Sequence, residues 1–286
     1  MSVGKKTRMN RLDDNLKQQF LQQGYLIIDT DIDVSVLDGA REDLAPFFGD
    51  DRQDPINVPH AEPNRIQDAW YISQHVLKIA QSKQVLDVLE TLYENEARPF
   101  QTINFYKGTQ QPVHADSIHF NSEPFGSMCG VWVALEDIGP DQGPLIYYPG
   151  SQMLDEMNYD FFKLASYSKY YPQYLSGLQD VIAEHGFTPE HGIIKKGQAV
   201  IWSANIIHGG STQRDMSLTR HSQVTHYYMR GARYWRPGAS IRTRNYFEPD
   251  WVRDVSGEPN RFPQRMPFSE RLKGALERRL YDRKPG

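Results

Sequence analysis

The stretch "GQAVIWSANIIHGGS", residues 197–211, is an apolar run that stops on a histidine and two glycines. Val200, Ile201 and Trp202 favour extended backbone, and the glycines after His208 let the chain turn sharply, so the stretch reads as a strand with a polar residue at its end. The same grammar recurs in "PFQTINFYKG" (99–108), "GSMCGVWVALEDI" (126–138), "GPLIYYPGS" (143–151) and "SQVTHYYMRG" (222–231). Short β-branched and aromatic runs bounded by Gly, Pro and Asp at this spacing point to an all-β barrel or sandwich.

The first hundred residues read differently. In "LDDNLKQQFLQQGYLIID", Leu12, Leu16 and Phe20 are four apart and define one helical face, with Gly24 punctuating it before the strand-like "YLIID". Further helices are expected across "VSVLDGAREDLAPFF" (34–48) and, as one element, across "WYISQHVLKIAQSKQVLDVLETLYE" (70–94). Helices that precede the strands instead of alternating with them argue against a doubly wound parallel sheet. The expectation is a single domain over 1–286: a helical part to about 98, a β core over about 99–235 and a C-terminal extension from about 236. The core carries an aromatic insertion over about 152–190, long enough to be a lid. The tail "FSERLKGALERRLYDRKPG" reads as a polar surface helix.

Composition narrows the partners. A formal net charge of −4 over 286 residues gives no electrostatic case for gripping nucleic acid. No window approaches the roughly 18 apolar residues of a membrane span. One cysteine, Cys129, excludes an internal disulfide, and no apolar run follows the basic start, so a cytoplasmic, reduced, soluble protein is expected.

The chemistry gathers around "QQPVHADSIHF" (110–120). On extended backbone, residues i and i+2 share a face, so His114 and Asp116 converge while Ala115 points away. Alone such a pair is a weak signal, close to what chance supplies. With His208 it completes the two-histidine, one-carboxylate set of non-haem iron(II) oxygenases, which leaves metal positions open. Twelve residues on, Arg220 in "SLTRHSQVTHYY" is costly to bury unless it meets an anion, and its fork suits a carboxylate. His-x-Asp, a distant His and then Arg is the order that an iron enzyme with a dicarboxylate cosubstrate requires.

Other residues have simpler readings. "VPHAEPNR" offers His60 and Glu62 at the same spacing, but its prolines make it a loop. His119 reads first as a satisfied core or rim residue, with a substrate contact or acid/base group in the pocket as its functional alternative. His226 shares the parity of Arg220 and His221 does not, and both are read as structural. Trp202 and Trp132 read as core aromatics, and Cys129 as a buried small hydrophobe. The run Arg230, Arg233, Arg236, Arg242 and Arg244 reads first as a solvated face, with recognition of an anionic substrate group as its functional alternative.

With "NFYKG" ahead of "HAD", then "VWVALEDIGPDQGPLIYYPGSQ", "KKGQAVIWSANIIHGGS" and "TRHSQVTHYY", the sequence resembles the phytanoyl-CoA dioxygenase family of iron(II)- and 2-oxoglutarate-dependent oxygenases. The resemblance implies a mainly β fold, a cupin-like double-stranded β-helix or jelly roll, with the N-terminal helices packed on it. It implies iron held by His114, Asp116 and His208, and the distal carboxylate of 2-oxoglutarate held by Arg220, with O2 as the other cosubstrate. Asn104, Trp132 and Ser211 fall where related enzymes line the cosubstrate pocket. Departures are Gln152 where the family has "PGSH", and a gap from His208 to Arg220 that is about a residue longer than in some members. Halogenating relatives lack the carboxylate ligand, so Asp116 favours hydroxylation or another oxidation. The alternatives are a jelly roll that binds without turnover, and a cupin-like metal enzyme that uses no oxoacid and has no need of Arg220.

Overall fold

The computed structural model describes residues 14–55, 58, 60–240, 243–260 and 262. Its frame is a seven-stranded sheet in the order β1-β9-β6-β11-β4-β3-β2. These strands are β1 (Tyr25–Asp29), β2 (His60–Glu62), β3 (Arg65–Gln67), β4 (Ala97–Phe105), β6 (Met128–Ala134), β9 (Gln198–Ser203) and β11 (Ser222–Met229). A three-stranded sheet, β10-β7-β8, joins β7 (Leu145–Tyr147), β8 (Glu190–His191) and β10 (His208–Gly210), and a short pair joins β5 (Asn121–Glu123) to β12 (Arg233–Trp235). All registered pairs are antiparallel.

Alternation along the central strands sorts two cores. From β6, Cys129, Val131 and Val133 enter a cluster with Leu37, Leu77 and Leu89 of the helices. Trp132 and Ala134 point the other way, into a cluster with Val200 and Trp202 of β9, Val224 of β11 and Leu145 and Tyr147 of the small sheet. This second cluster fills the space between the two sheets, which is the interior of a jelly roll. Both faces of β6 are covered, which is why it reads as an unbroken apolar run.

Helices form on the outer side. Residues 14–23 form α1, α2 spans Val34–Leu44, and Asp33 caps it by accepting from Ser35 N at 2.8 Å. The expected helix over 70–94 is instead two, α3 (Gln74–Ala80) and α4 (Lys83–Tyr93). Ser73 accepts from Val76 N at 3.1 Å and Ser82 from Val85 N at 3.4 Å, so each serine satisfies a free donor at a new N-terminus and divides the run. Gln152, the departure from "PGSH", donates to the carbonyls of Leu21 and Gln22 and so closes the end of the first helix.

The Pro-flanked stretch around His60 is a hairpin, not a loop. His60 faces Gln67 and Glu62 faces Arg65, with Pro63 in the turn, where its missing N–H breaks no ladder bond. The 152–190 insertion is ordered too. Its main element, α5 (Tyr171–His185), ends at Gly186 with φ 64°. Met157, Tyr159, Tyr174 and Leu178 pack against Val113, Ala115, Ile118 and Ile207, so the insertion rests on the segments that carry His114 and His208. The expected C-terminal helix lies outside the described residues, among which no helix is long and apolar enough to cross a membrane.

Candidate metal centre

His114 and His208 come together through backbone. They are opposed in an antiparallel bridge, exchanging N–H···O bonds of 2.8 and 2.9 Å, which leaves their rings 4.6 Å apart. Gly209 permits this approach, since a Cβ there would stand 2.7 Å from the carbonyl oxygen of Gln111. Two residues past His114 the chain turns into a short 3-10 helix, Asp116–Ile118, and its first carboxylate joins the pair. Among the described residues this is the one group of three His, Cys, Asp or Glu side chains whose ligand atoms lie within 4.8 Å of one another.

The imidazoles are preset to act as ligands. Nδ1 of His114 donates to Pro112 O (2.9 Å) and Nδ1 of His208 to Ile206 O (3.1 Å). A carbonyl can only accept, so the proton sits on Nδ1 and Nε2 keeps its lone pair. Both Nε2 atoms face Asp116 Oδ1 at 3.5 Å. Two ligands at right angles about 2.1 Å from an ion are about 3 Å apart, so this face fits a metal with little adjustment. Burial lowers the His208 pKa to about 4, a fall that Asp116 partly opposes, so the ring is neutral near pH 7, as ligation requires. Burial alone would raise the Asp116 carboxyl, but the imidazoles of His208 and His226 beside it hold it well below the usual carboxylate range.

The triad lines a cavity of about 710 Å³. Arg220, 2% exposed, reaches the same cavity. Its Nη1 donates to Gly143 O at 2.9 Å, its Nε has no hydrogen-bond partner among the described residues, and its guanidinium lies over Phe105 (5.4 Å) and Trp132 (5.5 Å). Burial lowers its pKa to about 10, which leaves it charged at neutral pH and short of an anion. An incoming carboxylate beside the triad would meet that need.

The structure does not gather every residue expected here. Trp132 lines the cavity, whereas Asn104 does not. Ile103 and Phe105 of β4 face inward, so the intervening Asn104 faces the helices, where it donates to Gln223 at 3.2 Å. Ser211 is also turned away: its hydroxyl donates to Pro144 O at 2.8 Å, and Gly209 and Gly210 line the cavity in its place. His221 packs beside Tyr106 and Phe48 outside it. Arg230 pairs with Glu96, and Arg233 and Arg244 with Glu123; Arg236 reaches the cavity, and Arg242 lies outside the described residues.

Two residues read as structural stand beside the carboxylate instead. Trp202 donates from Nε1 to Asp116 Oδ2 at 2.8 Å, and His226 Nε2 lies 3.4 Å from the same oxygen. Parity with Arg220 was the available signal for His226. Trp202 had none, because an indole that fills a core and one that holds a carboxylate look alike in sequence. His119 lines the cavity, hydrogen-bonds Tyr171 at 3.2 Å, and is held neutral by burial at a pKa of about 3.

Comparison with known proteins places this geometry. A Caenorhabditis elegans phytanoyl-CoA dioxygenase domain-containing protein 1 homolog is 25% identical over 143 residues, 49% of each chain, so the match spans about half the length of that relative. Two solved structures share the fold. The non-heme alpha ketoglutarate dependent epimerase SnoN from nogalamycin biosynthesis has a TM-score of 0.60 at 15% identity, covering 89% of this chain and 94% of its own. EctD from S. alaskensis with 2-oxoglutarate and 5-hydroxyectoine has a TM-score of 0.59 at 18% identity, covering 86% and 84%. The model of the phytanoyl-CoA dioxygenase (PhyH) family matches residues 20–221, and the chain belongs to this family.

Proposed function

We propose that the protein hydroxylates a small molecule, consuming O2 and 2-oxoglutarate and releasing succinate and CO2. The observation that carries this reading is the conjunction, in one cavity, of the His114–Asp116–His208 face and the buried Arg220 with its unpartnered Nε. Bound iron(II) supplies the O2 activation that no side chain here provides. The chain's own residues orient and shield. His114, Asp116 and His208 would hold the ion with three donors, a number that would leave room for cosubstrate and O2. Arg220 binds the distal carboxylate of 2-oxoglutarate, with Phe105 and Trp132 as low-dielectric walls that strengthen the pairing.

The mouth of the cavity receives the substrate. His119, Tyr159, Ser168 and Tyr171 line it from the metal-bearing turn and the insertion, and Arg65 and Gln67 from the hairpin. They combine aromatic faces with hydrogen-bonding groups, which fits a small polar molecule with an apolar portion. EctD, solved with 2-oxoglutarate and the hydroxylated compound 5-hydroxyectoine, supports hydroxylation, while SnoN, an epimerase, supports a wider range of outcomes on the same frame.

The test is succinate release from 2-oxoglutarate across a panel of small molecules, with product mass measured alongside. Substrate-dependent succinate with a gain of one oxygen supports hydroxylation. Coupled succinate with an unchanged or hydrogen-depleted product keeps the oxygenase class and replaces hydroxylation. No coupled succinate from any compound, with iron and 2-oxoglutarate bound, overturns the reading.

A further inference from the structure

Asp116 divides its oxygens. Oδ1 faces the ligand nitrogens of His114 and His208, and Oδ2 faces Trp202 Nε1 and His226 Nε2. This division matters because a carboxylate can bind a metal through one oxygen or two. With two histidines and one carboxylate oxygen, an octahedral ion keeps positions for a chelating oxoacid and for O2. If Oδ2 swung onto the ion, the last of these would be lost.

The large sheet builds the other side of this arrangement in a single row. Trp202 on β9, Gly130 on β6 and His226 on β11 are directly opposed, cross-strand neighbours on the inward face. The middle position has no side chain, and the indole of Trp202 lies in the space. A Cβ on Gly130 would stand 2.3 Å from Cε2 and Cζ2 of the indole and 2.8 Å from Nε1, so the ring could not keep its place. On the far side His226, 4% exposed, has a buried Nδ1 with no hydrogen-bond partner among the described residues and turns its Nε2 to Oδ2.

We propose that Trp202 and His226 clamp Oδ2 of Asp116 and so keep this carboxylate a one-oxygen ligand, with Gly130 as the gap that admits the indole. The inference rests on the metal reading of the triad and deepens it. Trp202 and His226 are positioning residues, acting on the metal through Asp116. The Trp202 bond is the stronger half, at 2.8 Å to an ionised acceptor. The 3.4 Å His226 contact is longer than an ordinary hydrogen bond and restricts rotation of the carboxylate from the opposite side.

Manganese(II) is the probe, because it takes the same donor types, and its EPR lines broaden in ¹⁷O-enriched water according to the waters it holds. The variants are Trp202→Phe, His226→Phe, their combination, His226→Gln and Gly130→Ala. In the wild type, adding 2-oxoglutarate to the manganese form is expected to leave an exchangeable water. The double variant loses it, Gly130→Ala and Trp202→Phe lose it in part, and His226→Gln, which retains a donor, keeps it. An undiminished water count in a folded double variant overturns the clamp. If the double variant does not fold, undiminished counts in both Trp202→Phe and Gly130→Ala overturn it. The two readings fail separately: if wild type and His208→Ala bind manganese equally, the triad is not the metal site and both fall. Metal lost in His208→Ala with an unchanged count in the clamp variants removes the clamp alone.

Discussion

The two faces of the large sheet are made from the same strands and do opposite work. Outward, Cys129, Val131, Ile201 and Tyr227 meet the helices in a hydrocarbon layer, and two buried polar side chains there reach helix backbone: Tyr227 donates to Ala80 O at 2.9 Å and Gln223 to Val76 O at 3.1 Å. Inward, the alternate residues Trp202, Trp132 and His226, with Arg220 just ahead of β11, keep polar atoms aimed at a cavity. The outward residues line no part of this cavity, whereas the inward ones bring Arg220 Nε, His226 Nδ1 and Trp132 Nε1, all without hydrogen-bond partners among the described residues, to its wall. The difference of one residue along a strand therefore separates stability from function, and substitutions should divide along that line.

The largest effect is expected inside. His208→Ala removes one of three ligands and should weaken iron(II) or manganese(II) binding at least about 100-fold by calorimetry, with little change in the melting temperature of the apoprotein. Next, Arg220→Met should raise the 2-oxoglutarate concentration for half-saturation by about 2 kcal/mol, roughly 30-fold, the scale of a lost charge-assisted hydrogen bond. Because the substitution removes a buried cation paired with one carbonyl, the fold should tolerate it.

Outside, Ile201→Ala should cost about 2–5 kcal/mol of stability in a denaturant titration while metal affinity stays within about twofold. Equal losses of stability and metal affinity would mean that the two faces are not separable. A subtler contrast comes from pH. His208 and His119 are both depressed by burial, to about 4 and about 3. Their folded pKa values lie below the unfolded one, so the unfolded chain binds more protons as the pH falls. Apoprotein stability should therefore decline from about pH 6.5 towards pH 3, and His119→Phe should lessen the slope across that whole range. Smallest of all, Asn104→Ala should leave 2-oxoglutarate half-saturation within about twofold, because its side chain is on the helix face; a tenfold rise would break the parity argument.

That last residue shows where sequence reading stopped. The β core and the convergence of His114, Asp116 and His208 were legible because apolar runs, turn residues and period-two alternation are local, but 197–211, read as one strand ending at His208, is two, β9 and β10, in different sheets. Arg220 was legible because a buried guanidinium needs an anion. Asn104 was misplaced by position within a motif, although parity against Ile103 and Phe105 would have turned it outward. Ser211 faded for a similar reason: the two glycines before it bring backbone, not a side chain, to the cavity wall. The division of the 70–94 helix depended on Ser82 finding a backbone donor, and the roles of Trp202 and Gly130 exist only once β6 and β9 are in register. The Trp202–Gly130 relation is non-local and no window of sequence contains it, whereas the Ser82 cap lies only three residues from its donor.

The central claim is that His114, Asp116, His208 and Arg220 form one iron(II) and 2-oxoglutarate site. Its most direct test is anaerobic titration of iron(II) and then 2-oxoglutarate into the apoprotein, followed by the visible charge-transfer absorption of the complex, with His208→Ala and Arg220→Met in parallel. The account predicts a band in the wild type, none in the His208 variant, and a band reached only at far higher 2-oxoglutarate in the Arg220 variant. Iron binding at the triad with no band at saturating 2-oxoglutarate, or a band indifferent to both substitutions, would contradict it.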